Sequence, residues 1–269
     1  MSGADATTLW IHEMRDQDRV TYRLGRQGQD LVAEWPAIGR IMCGTDGSGA
    51  RLIPAEPATP VSLAMLQATA TVFVGELRGG LALHASAVSI EGRGVLVLGE
   101  SGSGKSTAAA TLCTRHGAKL LADDAALLVE RDGTLLIEPS ERDHHLTQES
   151  LAALGKPPLP SSPWPDKAVL PAEAAASAPA PLALIAALQF DDASAQAEVR
   201  ALRGVDGAAK LLASLFRFNF PDGPARRHEL DRVMRIHERT RVVEIRRPRS
   251  KPDVAPHILE ALLGESRGR

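Results

Sequence analysis

Eight consecutive residues carry the clearest chemistry in this 269-residue chain: Gly99-Glu100-Ser101-Gly102-Ser103-Gly104-Lys105-Ser106. They fit G-x-x-x-x-G-K-[ST] and are followed by Thr107. In that pattern the glycines let backbone N–H groups converge on phosphate oxygens at the positive end of a helix. Lys105 supplies a charge for the β- and γ-phosphates, and the Ser106 hydroxyl suits Mg²⁺. At this composition the pattern arises by chance in roughly 0.5% of such chains. The lysine stands out because most of the 31 basic residues are arginines. Gly99–Thr107 therefore reads as a nucleotide phosphate loop that takes ATP with Mg²⁺.

Two further groups are placed by the elements that must surround such a loop. Val95–Leu98 is an apolar run that suits a buried strand, and Thr107–His116 suits a helix closed by Gly117. A helix of that length travels about 16 Å from the loop. The short run Lys119–Ala122 returns a similar distance and brings Asp123-Asp124 back to the phosphate edge. Paired acids there can ligate Mg²⁺ or take a proton from an attacking hydroxyl, whereas elsewhere they would make a plain turn. Upstream, Leu83–Ile90 and Val95–Leu98 flank Glu91-Gly92-Arg93-Gly94, which predicts an antiparallel hairpin. Pairing Glu91 with Gly94 puts His84 opposite Ser101, beside the loop. A register slip would turn it away, leaving a histidine that packs or meets solvent.

Leu83-His84-Ala85-Ser86, GESGSGKST and LLADDAALLV, in this order and spacing, resemble the catalytic core of the HPr kinase/phosphorylase family. The resemblance is carried by about residues 81–131. It implies an α/β P-loop core with a mixed sheet, related to phosphoenolpyruvate carboxykinases. It further implies ATP and Mg²⁺ as cofactors, Asp123 as the base for an acceptor hydroxyl, and His84 beside it. Lys105 would bind phosphate, with Ser106 and Asp124 at the metal. The family's later E-x-R-G-x-G segment is absent, and the comparable stretch EPSERDHHLTQESLAALG offers Glu138 or Glu149 instead. The chain is more similar to the short HPr-kinase-like serine kinases, some of which accompany peptide-biosynthesis enzymes. The expected activity is therefore γ-phosphoryl transfer to a serine hydroxyl of a protein or peptide, and a homo-oligomer is compatible with it. A small-molecule hydroxyl kinase and a nucleotide-sensing module without transfer are the alternatives.

The rest of the chain frames this core. Residues 1–79 read as a small strand-rich subdomain, with runs at Arg19–Leu24, Asp30–Trp35 and Arg40–Cys43 and one buried helix after Pro60. Residues 80–269 form the core, interrupted by a Pro/Ala-rich, irregular segment at 157–181. Beyond it come a strand Leu182–Phe190, helices near Val205–Phe216 and Arg226–Glu238, a strand Val242–Arg246, and a helix capped by Asp253 and stopped by Gly264. Lys167 reads as a surface lysine or as part of a lid. Arg217 is the first candidate among the C-terminal arginines for steadying transferred phosphate, against solvated helix faces. Asp143-His144-His145 lacks a third ligand at useful spacing, and Cys113 reads as core. A net charge of −2 and 3% aromatic content argue against nucleic acid and membrane surfaces. Two cysteines and no leader-like N-terminus point to the cytoplasm. Eukaryotic-type kinases are excluded by the lack of H-R-D and D-F-G segments.

Overall fold

The computed structural model describes residues 7–163, 166–218, 223–251 and 253–264. The first six residues, on which the leader argument partly rests, lie outside them. Five short alternating runs form an antiparallel meander in sequence order: β1 (Leu9–Asp16), β2 (Arg19–Gln27), β3 (Asp30–Trp35), β4 (Gly39–Cys43) and β5 (Arg51–Pro54). Their inward residues, among them Tyr22, Leu24, Trp35 and Ile41, pack on α1 (Pro60–Leu77). This helix begins where Thr59 and Ser62 cap each other's backbone N–H groups, with Pro60 at the first helical position. With 18 residues and a mean hydropathy of 1.3, α1 has the length and composition of a membrane span. Burial of Met65, Leu66 and Phe73 between the meander and the core accounts for its apolar character here.

The chain then enters a nine-stranded mixed sheet. Its first part runs β6 (Leu81–Leu83), β7 (Ser86–Ile90), β8 (Arg93–Leu98), α2 (Lys105–His116), β9 (Lys119–Ala122), β10 (Ala126–Arg131) and β11 (Thr134–Glu138). A side ribbon follows, β12 (Asp143–Leu146), α3 (Gln148–Ala153) and β13 (Ala168–Pro171). The chain closes with β14 (Ala180–Phe190), β15 (Glu198–Leu202), α4 (Gly204–Ala213), α5 (Gly223–Arg239), β16 (Arg241–Arg247) and α6 (Ala255–Leu263). β14 is the spine, because it pairs in parallel with both β8 and β16. Alternate residues of these strands face opposite ways. Val95, Val97, Leu184 and Ile245 meet α2 and α6, while Leu96, Ile185 and Val242 meet α4 and α5. The parallel trio therefore ends together at one edge, where the glycine-rich loop leaves β8.

Two expectations are corrected. The hairpin pairs Ile90 with Arg93 and Ser86 with Val97, two residues away from the expected Glu91–Gly94 pairing. Glu91 (φ 50°) and Gly92 (φ 78°) are the turn residues, both left-handed as a two-residue hairpin turn of this kind requires. Gly94 instead lies inside β8, where a Cβ would come within 2.9 Å of Pro181 O. A two-residue shift keeps every side chain on its expected face. The upstream strand is also broken at His84-Ala85, since β6 pairs with β10 and β7 with β8 and β9. Second, the 157–181 segment is not irregular throughout: β13 pairs with β12, and Ala180-Pro181 begin β14. Asp253 does accept from Ala255 N at the start of α6.

The meander and the core meet at Phe218. Its ring lies 5.6 Å from Trp35 and 5.7 Å from Phe73, centroid to centroid, and its carbonyl accepts from the Tyr22 hydroxyl. Phe73→Ala is expected to cost about 3–5 kcal/mol in denaturant unfolding, since Phe73 is fully buried at this junction. Glu76 accepts from Phe218 N at 3.4 Å, and burial pushes its carboxyl from 4.5 up to about 7. The folded chain then holds a proton that the unfolded chain releases. Wild-type stability should therefore fall relative to Glu76→Gln as pH rises from 4.5 to 7, with the two parallel outside that window. Urea midpoints across this range check it.

Candidate functional site

The loop between β8 and α2 takes its shape from three left-handed glycines, Gly99 (φ 149°), Gly102 (φ 76°) and Gly104 (φ 94°). At Gly99 a Cβ would lie 2.5 Å from Ser103 Oγ and 2.9 Å from Leu188 O. At Gly104 it would lie 2.8 Å from Arg247 Nη2. Arg247, at the end of β16, is 3% exposed and donates to Ser103 O at 3.0 Å. It braces the loop from behind with Phe190 under its guanidinium, at 4.6 Å. Ser103 Oγ is buried without a partner. That orphaned hydroxyl, the glycine cradle and the first turn of α2 fit the phosphates of a nucleotide. Ser106, in the same turn, is the hydroxyl suited to Mg²⁺. Thr107 turns its own hydroxyl to Ser150 Oγ at 2.7 Å.

Lys105 is 6% exposed, and its ammonium donates to Gly99 O at 2.9 Å and Glu100 O at 3.1 Å. Its third contact is His84 Nε2 at 3.1 Å. On the other side of the ring, His84 Nδ1 lies 2.9 Å from Asp124 O. A carbonyl only accepts, so Nδ1 carries the proton and Nε2 accepts from Lys105. Burial, reinforced by the Lys105 charge, holds the imidazole below its usual pKa and keeps it neutral. The strand break places this ring: His84 N donates to Ser214 O instead of continuing the ladder. His84 thus reaches the loop, as expected, although by another backbone path.

The two adjacent aspartates have different surroundings. Asp123 is fully buried, with one carboxylate oxygen taking the Ser86 hydroxyl and the other His145 N at 2.9 Å. Asp124 has φ 73° and faces the other way, with both oxygens 2.7 Å from Lys167 Nζ. Burial opposes its charge, but the Lys167 ammonium outweighs that and holds the carboxyl below its ordinary range. Asp124, not Asp123, lines a cavity of about 310 Å³ that is also lined by His84, the partner of Lys105. Both Asp123 oxygens are hydrogen-bonded inside the protein, and of the two aspartates it is Asp124 that faces the cavity.

Sequence reasoning missed Glu141, as it missed Arg247. Glu141 accepts from Asp123 N and lines the cavity, whereas Glu138 pairs with Arg131 and Glu149 sits on α3. Burial first, then the charges of Asp123 and Asp124, raise its carboxyl well above the usual range. Its signal in the sequence is a third acid, three residues beyond Glu138 in EPSERDHHLTQESLAALG. His145 lines the same cavity, while His144, one residue earlier on β12, is buried with neither ring nitrogen partnered. Among the described residues no cluster of three His, Cys, Asp or Glu side chains is arranged to hold a metal. Arg217 pairs with Glu229 at 2.7 Å and does not line the cavity. Cys113 is core, its thiol pushed up to about 12 by burial.

Fold and loop together define an α/β protein with a strand–glycine loop–helix unit, joined through His84 to an acid–lysine cavity. Residues 51–141 match the family model described as SynChlorMet cassette protein ScmC. HPr kinase/phosphorylases from two Clostridium botulinum strains, Eklund 17B and Alaska E43, are each 48% identical over 54 residues. That stretch is 20% of this chain and 17% of each relative's length. The Hpr(Ser) kinase/phosphatase structure from Coxiella burnetii aligns over 69% of this chain and 90% of its own, at 15% identity and a TM-score of 0.33. The curated relatives fit the HPr-kinase-like resemblance drawn from the sequence.

Arg247→Met tests the brace behind the loop. Losing the donor to Ser103 O should lower unfolding stability by about 1–3 kcal/mol. It should also weaken ATP binding about tenfold in calorimetric titration, because the loop loses its support.

Proposed function

We propose that this chain is an ATP-dependent phosphotransferase that moves the γ-phosphoryl group to a hydroxyl of a protein or peptide. The observation that carries the reading is the unbroken path from Lys105 through His84 to the turn that holds Asp124. It couples the phosphate-binding charge to the one aspartate of the pair that lines the cavity. A nucleotide sensor has no need of that connection.

In this reading the loop amides and Lys105 hold the phosphates and neutralise charge on the transferring group. Ser106 is the Mg²⁺ ligand supplied by the loop, and the ion adds further charge neutralisation when bound. The acceptor lies in the cavity with its hydroxyl toward Asp124. Its oxygen forms the new bond to γ-phosphorus, the bond from γ-phosphorus to the bridging oxygen breaks, and ADP leaves. The hydroxyl proton passes to Asp124, which is released from Lys167 by the incoming acceptor. Lys167 is then free to steady the transferred charge. Asp123 and Glu141 are positioning residues that hold the turn. The neutral His84 keeps Lys105 aimed into the loop and gives it no second positive charge to oppose.

The reading is tested with labelled ATP and serine-bearing protein and peptide acceptors. Asp124→Asn should cut transfer at least a hundredfold while ATP affinity stays within about threefold. Lys105→Ala should remove both. Asp123→Asn should act mainly on stability, at about 1–3 kcal/mol, because it disturbs two buried hydrogen bonds. Full activity in Asp124→Asn would remove the base assignment. Lack of transfer to every hydroxyl acceptor tried, with ATP bound, would sink the kinase reading.

A further inference from the structure

The cavity that His84 shares with Asp124 has two unlike ends. At one stand His84, Asp124, Glu141, His145 and Lys167. At the other stand Trp35 from the meander, Met65, Ala68 and Val72 from α1, and Phe216 and Phe218 from the segment after α4. The apolar end is a built wall. Trp35 and Phe218 meet edge to face at 5.6 Å, and the Tyr22 hydroxyl pins the Phe218 carbonyl. Phe216 is fixed by its N–H to Ala82 O at 3.0 Å, and its ring lies 6.4 Å from His84. The wall and the acid therefore belong to one chamber, and the histidine that touches Lys105 also touches the aromatic side.

Size limits what the chamber can take. An apolar cavity of about 150 Å³ is enough for a benzene ring. At about 310 Å³ this one holds a ring together with the carbinol carbon and oxygen attached to it. A hydroxymethyl group alone would leave the aromatic wall bare and the chamber wet. Before an acceptor enters, the ammonium of Lys167 is matched by Asp124 at 2.7 Å.

We infer that the acceptor presents its hydroxyl directly beside a ring-sized apolar group, which lies against Trp35, Met65, Phe216 and Phe218 while the hydroxyl faces Asp124. This rests on the kinase reading and adds the substrate class. The same chemistry is found in a serine next to an aromatic or large aliphatic side chain and in a free aryl-alkyl alcohol. The meander thereby gains a role in specificity, because without Trp35 and α1 the chamber has no far wall.

The test uses the full chain with MgATP and four probes: a short peptide with serine beside phenylalanine, the same peptide with glycine there, 2-phenylethanol, and ethanol. The phenyl member of at least one pair should be phosphorylated with at least tenfold higher kcat/KM, and which pair responds separates the peptide source from the free alcohol. Ala68→Leu, which narrows the chamber at the apolar end, should raise KM for that acceptor at least tenfold. Equal transfer to phenyl and non-phenyl members would overturn the inference and leave the kinase reading standing. If no probe gains phosphate, binding of 2-phenylethanol followed by NMR decides the two separately. Saturable binding lost in Ala68→Leu keeps the apolar chamber and counts against the kinase reading, whereas no binding removes the chamber as an acceptor site.

Discussion

The arrangement of this site depends on one imidazole. His84 accepts from the Lys105 ammonium at 3.1 Å and donates to the Asp124 carbonyl at 2.9 Å. Only the neutral ring with its proton on Nδ1 can do both, and burial beside a lysine holds it in that form. Three elements distant in sequence are joined there: the break between β6 and β7, the start of α2, and the turn between β9 and β10. A protonated ring would place a second positive charge against Lys105 in a buried setting, where such repulsion is little screened.

Around this connection the protein separates support from exposure. Asp123 is consumed by Ser86 and the His145 N–H, and its own N–H is held by Glu141. Asp123, fully buried, and Glu141, half-buried, would repel if both were charged. The raised carboxyl of Glu141 relieves this by keeping its proton. The reward for that crowding is a turn held firmly enough to keep Asp124 at φ 73°, a conformation that costs little for aspartate but would be strained for a branched residue. Arg247 supports the other side in the same manner, through Ser103 O and the space that Gly104 leaves open.

How much of this was legible can be judged residue by residue. The glycine loop was readable because its constraints are local: positive φ, backbone close approach and a helix start all leave residue-type signatures. Three of the five meander strands were legible from apolar runs between glycine-containing breaks, and the helices after β14 from their apolar spacing. The placement of His84 tolerates the hairpin register lying two residues from the one its turn glycines suggest, because a shift of two preserves the face. The strand break that in fact positions it leaves no signature, since Ala85 fits a strand as well as a break. Glu141 and Arg247 were missed because each acts across the fold: Glu141 through the backbone of Asp123, Arg247 over a separation of 144 residues.

The amino-acid sequence by itself determined that a glycine-rich loop lies between a buried strand and a helix, that two aspartates follow at the end of the next strand, and that a strand-rich segment precedes it. Tertiary structure alone decided which aspartate looks outward, which glutamate stands beside it, and that the meander supplies an aromatic wall to the same chamber. The physical reason is range. Backbone conformation and helix termini are specified by neighbours in the chain, whereas the direction of a side chain in an Asp-Asp turn, and the partner that neutralises it, depend on surfaces brought together only when the sheets pack.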